Sequence, residues 1–312
     1  MMHAIWRFAG IAATMALAAC SGAIPESSEP RSQPPVVVAT PPPPLPVPPP
    51  PPPPPEPVGP ATFLYDGEFT QGGWIRGRVP AGTVSATLGE QALTFDENGR
   101  FFAAFDRDAG PAATLRAVTG DGRSVESTLA VSARDWNIER VNVARRSGGP
   151  SASFLARRRP ELEQIYAARE ANADSDGWRQ DFRWPVTGRI SGRFGSQRIY
   201  RGEPGSYHSG IDIAPGGSGA PFVSPAAGVV TLATDKPFSL EGYLLIIDHG
   251  QGLNSAFLHM SKIAVQKGDR VEQGQYLGNI GASGRATGPH LHWSLKWRDA
   301  RLDPLLFTGP MP

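Results

Sequence analysis

Near its C-terminal end the chain reads Ala286-Thr287-Gly288-Pro289-His290-Leu291-His292-Trp293, two histidines at i, i+2 behind a Gly-Pro turn. Side chains alternate in an extended strand, so His290 and His292 leave one face with Cα atoms roughly 7 Å apart. That spacing suits one metal ligand and one neighbour that touches water or substrate beside the metal. Far upstream, His208-Ser209-Gly210-Ile211-Asp212 supplies another histidine and a carboxylate. Two imidazoles and one carboxylate, with a fourth position open, make the donor set of a catalytic zinc. The chemistry these residues could do is metal-assisted hydrolysis.

The elements that must position them are short strands. His208 and Asp212 stand at i, i+4, a helical spacing, but Gly210, Ile211 and Ile213 disfavour a helix. In a straight strand the two would lie ~13 Å apart, too far to share one ion. The chain must therefore bend, and Gly210 is the residue that lets it. From residue 181 onward the punctuation is Gly-rich and no long 3.6-residue period appears. Strands are expected over 210–214, 228–233, 243–248, 255–259, 276–280 and 291–297, in a mostly antiparallel β-domain. His249, at a strand end before Gly250, reads as a structural hydrogen-bonding histidine.

With these segments in order, the chain resembles the lysostaphin/LytM-type zinc metalloendopeptidases. The resemblance rests on His208-x-x-x-Asp212, Asp248-His249-Gly250, Ser255-Ala256-Phe257-Leu258-His259, a Gly-Asp-x-Val-x-x-Gly-Gln turn within 265–281, and Gly288-Pro289-His290-Leu291-His292. It covers roughly residues 182–307. Carried over, it implies that His208, Asp212 and His292 bind Zn²⁺. It implies that His259 and His290 form the catalytic pair that orients water and stabilises the developing oxyanion. The spacing alone does not decide between His290 and His292 as the ligand; the resemblance implies the second. No His-Glu-x-x-His occurs, so the glutamate base of helical zinc proteases is missing, and an imidazole, His290 or His259, is expected to take the proton. The implied activity is zinc-dependent endopeptidase cleavage of peptidoglycan peptide cross-links by metal-activated water, at D-alanyl–diaminopimelate rather than pentaglycine. The alternative is a non-enzymatic LytM-type activator of cell-wall amidases, which the complete set of five residues weakens. The 265–281 segment also resembles a biotinyl/lipoyl half-barrel, but the Met-Lys-Met hairpin is absent. Tyr207 and Ser283 are candidates to line the groove, Arg193 and Phe194 to pack, and Asp303-Pro304 to turn and close the domain.

The rest of the chain reads as a delivery system. A weakly basic start with His3 and Arg7 precedes an apolar run over 8–19, which is short for a membrane span and suited to a signal peptide. It ends Leu17-Ala18-Ala19-Cys20-Ser21-Gly22, which resembles the lipobox of bacterial lipoproteins and implies cleavage and lipidation at Cys20, the one cysteine among 312 residues. Ser21 after it points to the outer membrane. Residues 41–57 are nearly all proline, part of the 33 in the chain. Fixed φ and missing amide donors impose a polyproline II rod of roughly 50 Å, a spacer from the lipid anchor. Net charge is +1, which gives no reason to expect nucleic acid. A wall-facing location opens the chain to cell-division or wall-synthesis proteins as partners, with peptidoglycan as the main one.

Between rod and hydrolase, residues 61–134 read as six or so short strands with turns at Asn98-Gly99 and Asp121-Gly122, a small β-sandwich with no histidine. Residues 151–171 read as a helix capped by Ser153, with Leu155, Leu162, Ile165 and Tyr166 tending to one face and Arg157-Arg158-Arg159 on a solvated one. The expected organisation is thus 1–19 signal, 20–60 lipid-anchored linker, 61–134 sandwich, 135–180 helical connector and 181–312 peptidase. The fold class is mostly β.

Overall fold

A computed structural model describes residues 59–144 and 148–312. The expected signal segment, Cys20 and the proline rod lie outside them. The N-terminal strands are β1 (Leu64–Gly67), β2 (Trp74–Arg78), β3 (Thr83–Leu88), β4 (Gln91–Ala92), β5 (Arg100–Ala104), β6 (Ala112–Thr119) and β7 (Ser124–Ala130). They form two antiparallel sheets, β1-β2-β5 and β4-β3-β6-β7. Along β6 the two-residue period is plain: Leu115, Ala117 and Thr119 are buried while Arg116 and Val118 face out. Ile75 and Phe101 of one sheet share a core with Leu115 and Leu129 of the other. Gly99, at φ +72°, closes the turn before β5, and Asp96 Oδ1 accepts the amides of Asn98 and Arg100 at 2.8 Å each.

The next stretch is not purely helical. Strand β8 (Ile138–Val141) precedes helix α1 (Ala152–Glu170). Its cap is Ser151, whose hydroxyl accepts the Phe154 amide at 3.2 Å, rather than Ser153. The expected apolar face is also corrected. Leu155 and Tyr166 are exposed, whereas Ile165, Ala168 and Arg158 are buried. One arginine of the 157–159 run therefore turns inward, because an acidic partner waits there, as described below.

The C-terminal strands are β9 (Arg189–Gly192), β10 (Gln197–Tyr200), β11 (Glu203–Pro204), β12 (Ile211–Ala214), β13 (Pro221–Val223), β14 (Gly228–Ala233), β15 (Tyr243–Asp248), β16 (Leu253–Ile263), β17 (Arg270–Val271), β18 (Tyr276–Ile280), β19 (Leu291–Trp297) and β20 (Ala300–Leu302). A short helix, α2 (Leu305–Thr308), follows. The large sheet runs β17-β14-β15-β16-β19-β12-β9 and is antiparallel throughout, with β13 and β18 curling over and β20 on β19. One parallel pair departs from expectation: β8 pairs with β10. Strand β16 is longer than the expected 255–259, because its far end bends to pair with β18.

The run Leu244-Leu245-Ile246-Ile247 is apolar on both faces because both are covered. Leu245 and Ile247 pack in the main core with Phe257 and Trp293, while Leu244 and Ile246 pack against Ile165 and Ala168 of α1. Each such side chain contributes roughly 1.5–3 kcal/mol relative to exposure. Asp303 does more than turn the chain. Buried, it accepts Arg134 at 2.8 Å, while its amide donates to the Gly72 carbonyl at 2.9 Å and Trp74 donates to Leu306 at 2.8 Å. These contacts join the N-terminal sheets to the C-terminal one.

Candidate metal centre and its cleft

Asp212 on β12 stands directly opposite His292 on β19 in the antiparallel register, so their side chains leave one face of the sheet. The chain bends at Gly210, just before β12. The bend brings His208 Nε2 to 3.1 Å from Asp212 Oδ1. Gly210 is needed for room: a Cβ there would meet the Trp293 carbonyl oxygen at 2.4 Å and His292 Nε2 at 2.8 Å. Gly192 on β9 has the same duty, since its Cβ would lie 2.3 Å from Asp212 Oδ2.

His208, Asp212 and His292 thus meet. His292 Nδ1 lies 2.9 Å from Asp212 Oδ1 and 3.1 Å from His208 Nε2. His208 Nδ1–H donates to the Arg193 carbonyl at 3.2 Å, which leaves the Nε2 lone pair aimed into the cluster. His290 is a neighbour of the group: its Nε2 is 3.6 Å from Asp212 Oδ1, and its Nδ1–H donates to Gly288 O at 2.8 Å. Between the two histidines that the spacing left open, His292 is the one in the tight triad.

His259 arrives by a backbone distortion. In the β15–β16 ladder Tyr243 pairs with Met260 and Leu245 with Phe257, so two residues, Leu258 and His259, oppose one. His259 sits at φ +66°, a left-handed conformation that costs on the order of 1–3 kcal/mol for a non-glycine residue. The bulge aims its ring at His290, 4.9 Å away between centroids, and 6.3 Å from His292. Its Nδ1–H donates to Ser283 O at 2.9 Å, which leaves Nε2 free.

Burial would raise the Asp212 pKa, but the close imidazoles of His208 and His292 outweigh it and hold the carboxyl well below the usual carboxylate range. For His208, burial opposes protonation, yet the Asp212 bond and charge carry its pKa upward. Burial pushes His292 down despite Asp212. His259 is also lowered, by burial first, with the nearby His290 and His292 adding to it. Three acceptor atoms facing one another at about 3 Å repel unless a cation or a proton lies between them, and N, N, O donors of this kind suit a divalent zinc. The donor set fits the ion.

The five residues line a cavity of about 490 Å³ together with Leu240, Glu241 and Leu258. It shares His208, Asp212, Arg285 and Thr287 with a larger cleft of about 1320 Å³. Glu139 of β8 and Tyr200 of β10 wall the larger cleft, and Tyr207 lines it as expected. Ser283 does not line it. Its hydroxyl instead accepts the Tyr243 amide at 2.9 Å and donates to Met260 O at 2.7 Å, behind His259. Arg193 serves through its carbonyl, and Phe194 packs against Trp136 and Tyr207. His249 is fully buried, donating to Ala227 O at 2.8 Å and accepting from Ser255 at 2.7 Å, away from the cluster.

Residues 206–304 match Peptidase family M23. The chain carries an M23 peptidase domain. Over 135 residues it is 36% identical to the peptidoglycan DD-endopeptidase ShyA of Vibrio cholerae, covering 41% of this chain and 30% of that protein. It is 33% identical over 126 residues to the lipoprotein NlpD/LppB homolog of Pseudomonas aeruginosa, covering 40% of this chain and 38% of that one. The chain therefore spans about a third of the length of these curated relatives. A Pseudomonas aeruginosa crystal structure described as peptidase M23 superposes with a TM-score of 0.60 at 28% identity, over 78% of this chain and 96% of that one. All five cluster residues fall within the M23 match, whereas Gly192, β8 and α1 lie before it.

Proposed function

We propose that this chain is a zinc-dependent endopeptidase that hydrolyses peptide cross-links of peptidoglycan. The observation that supports it best is the meeting of two imidazoles and one carboxylate within 3.1 Å of one another, beside a second imidazole pair, in an open cleft. The naming of a relative as a peptidoglycan DD-endopeptidase supports the substrate class. His208, Asp212 and His292 are the metal ligands on this reading. A zinc ion held by them would polarise the scissile carbonyl and acidify water.

The chain's own residues do the remaining work. The lowered pKa of His259 keeps its imidazole neutral near pH 7, so Nε2 is available to accept a proton from water and later return it to the leaving amine. His290, whose Nε2 lies 3.6 Å from Asp212 Oδ1, is placed to stabilise the charge that builds on the carbonyl oxygen. Gly192 and Gly210 keep the ligands close. On the same reading Cys20 carries lipid, residues 20–60 tether the sandwich and peptidase to the periplasmic face of the outer membrane, and D-alanyl–diaminopimelate is the bond cut. A relative named a lipoprotein supports the anchor.

The test is digestion of purified sacculi by full-chain protein with mass analysis of released muropeptides. Uncross-linked fragments from wild type and none from His292→Ala support the proposal. Sacculi left intact by zinc-loaded wild type that nevertheless stimulates an amidase would establish the activator alternative instead.

A further inference from the structure

The catalytic bulge is held from outside the M23 match. His259 is fixed by two contacts: its amide donates to Glu241 O at 2.9 Å and its Nδ1–H to Ser283 O at 2.9 Å. Both acceptors belong to one stitched unit. Arg285 donates its amide to Leu240 O at 2.9 Å, Ser283 accepts the Tyr243 amide, and Phe238 and Gly242 exchange backbone bonds at 2.8 and 3.1 Å. Gly242 and Gly284 touch so closely that a Cβ on Gly284 would lie 2.2 Å from the Gly242 nitrogen. The ring orientation of His259 therefore depends on where the loop 238–242 sits.

Helix α1 holds that loop. Arg158 grips Glu241 with two bonds of 2.6 Å, one from each terminal nitrogen, and also reaches Glu161 at 2.9 Å. Glu161 in turn accepts the Ser239 amide at 2.8 Å and its hydroxyl at 2.7 Å. The three charged side chains are largely removed from solvent, so the contact is tighter and less screened than a surface pair. Ile165 and Ala168 dock the helix on Leu244 and Phe238, and Arg169 reaches Asn254 at 2.6 Å. A paired fork is geometrically specific, which is why one arginine of three turns in against the apolar spacing.

We infer that Arg158 of α1, acting through Glu241 and the loop 238–242, is a positioning residue for His259, so that α1 is a working part of the peptidase site. The inference rests on the peptidase reading for its effect on rate but not for its effect on the ring. Releasing Glu241 frees the loop, and displacement of about 1 Å at a catalytic group can cost up to about a hundredfold in rate.

The experiment uses the full chain, as wild type, Arg158→Ala, Arg158→Lys and the swap of Arg158→Glu with Glu241→Arg. Histidine side-chain NMR reads the Nδ1–H of His259 directly, and turnover of a cross-linked muropeptide dimer is measured alongside thermal melting and zinc content. Arg158→Ala is expected to abolish the slowly exchanging His259 Nδ1–H signal and lower kcat about tenfold, with KM changed less than about twofold and zinc content unchanged. The swap is expected to restore both. Should Arg158→Ala fail to fold, Arg158→Lys, which keeps the charge and loses the fork, carries the same expectation at smaller amplitude. An unaltered His259 signal in the folded variants overturns the inference, as does kcat equal to wild type. A wild type that turns over nothing yet loses the His259 signal on Arg158→Ala overturns the peptidase reading and leaves the positioning role supported.

Discussion

Acidification should loosen this fold through one buried imidazole. Among the described residues His249 has no carboxylate partner; it donates to Ala227 O and accepts from Ser255, whose hydroxyl also receives Trp293 Nε1 at 3.2 Å. Burial lowers its pKa from 6.5 to about 4. The unfolded chain binds the proton more readily than the folded one, so the contribution of His249 is intact above the unfolded pKa and is lost as pH falls towards the folded one. At about 1.36 kcal/mol per pKa unit the full loss is about 3 kcal/mol near pH 4, of which about 2 kcal/mol falls between pH 7 and pH 5. For a unit of this size that is a decrease of about 4–8 °C in Tm. Thermal and urea melts of wild type and His249→Gln, both with chelator, would read it. The variant starts less stable, but its stability between pH 7 and pH 5 should fall about 2 kcal/mol less than that of wild type. Parallel pH profiles would refute the reasoning, because they would mean that His249 binds its proton equally well in the folded and the unfolded chain.

Two further outcomes follow from the site. Gly192→Ala puts a methyl 2.3 Å from Asp212 Oδ2, so the carboxylate must turn away; zinc affinity should fall by at least about tenfold, by competition with a chromogenic chelator, while the melting curve shifts little. His259→Ala should leave zinc content at the wild-type level and lower kcat by about 10²–10⁴, measured on a muropeptide dimer. Loss of zinc in that variant would make His259 a ligand and refute its assignment as a proton carrier.

What was legible in the sequence depended on how local its cause was. The strands at 228–233, 243–248, 276–280 and 291–297 coincide with β14, β15, β18 and β19, because an apolar run bounded by Gly or Asp is read by its own length and punctuation. The geometric demand for a bend between His208 and Asp212 could be stated from strand dimensions alone, and the structure bends there. The reason for glycine could not, since Gly210 and Gly192 answer to atoms of β19 and β12 that are distant in the chain. The same holds for α1. Its apolar spacing pointed to Leu155 and Tyr166, yet the buried face is set by Glu241, a residue with no local trace of its partner. The left-handed turn at His259 was equally invisible, because a bulge is a property of two strands.

Metal content tests the central claim most directly. Purified full-chain protein, dialysed against zinc and analysed by inductively coupled plasma mass spectrometry, should hold one zinc per chain, with none in Asp212→Asn, His208→Ala or His292→Ala. Zinc retained at the wild-type ratio in those three variants would show that the cation lies elsewhere and that the cluster is not a metal centre.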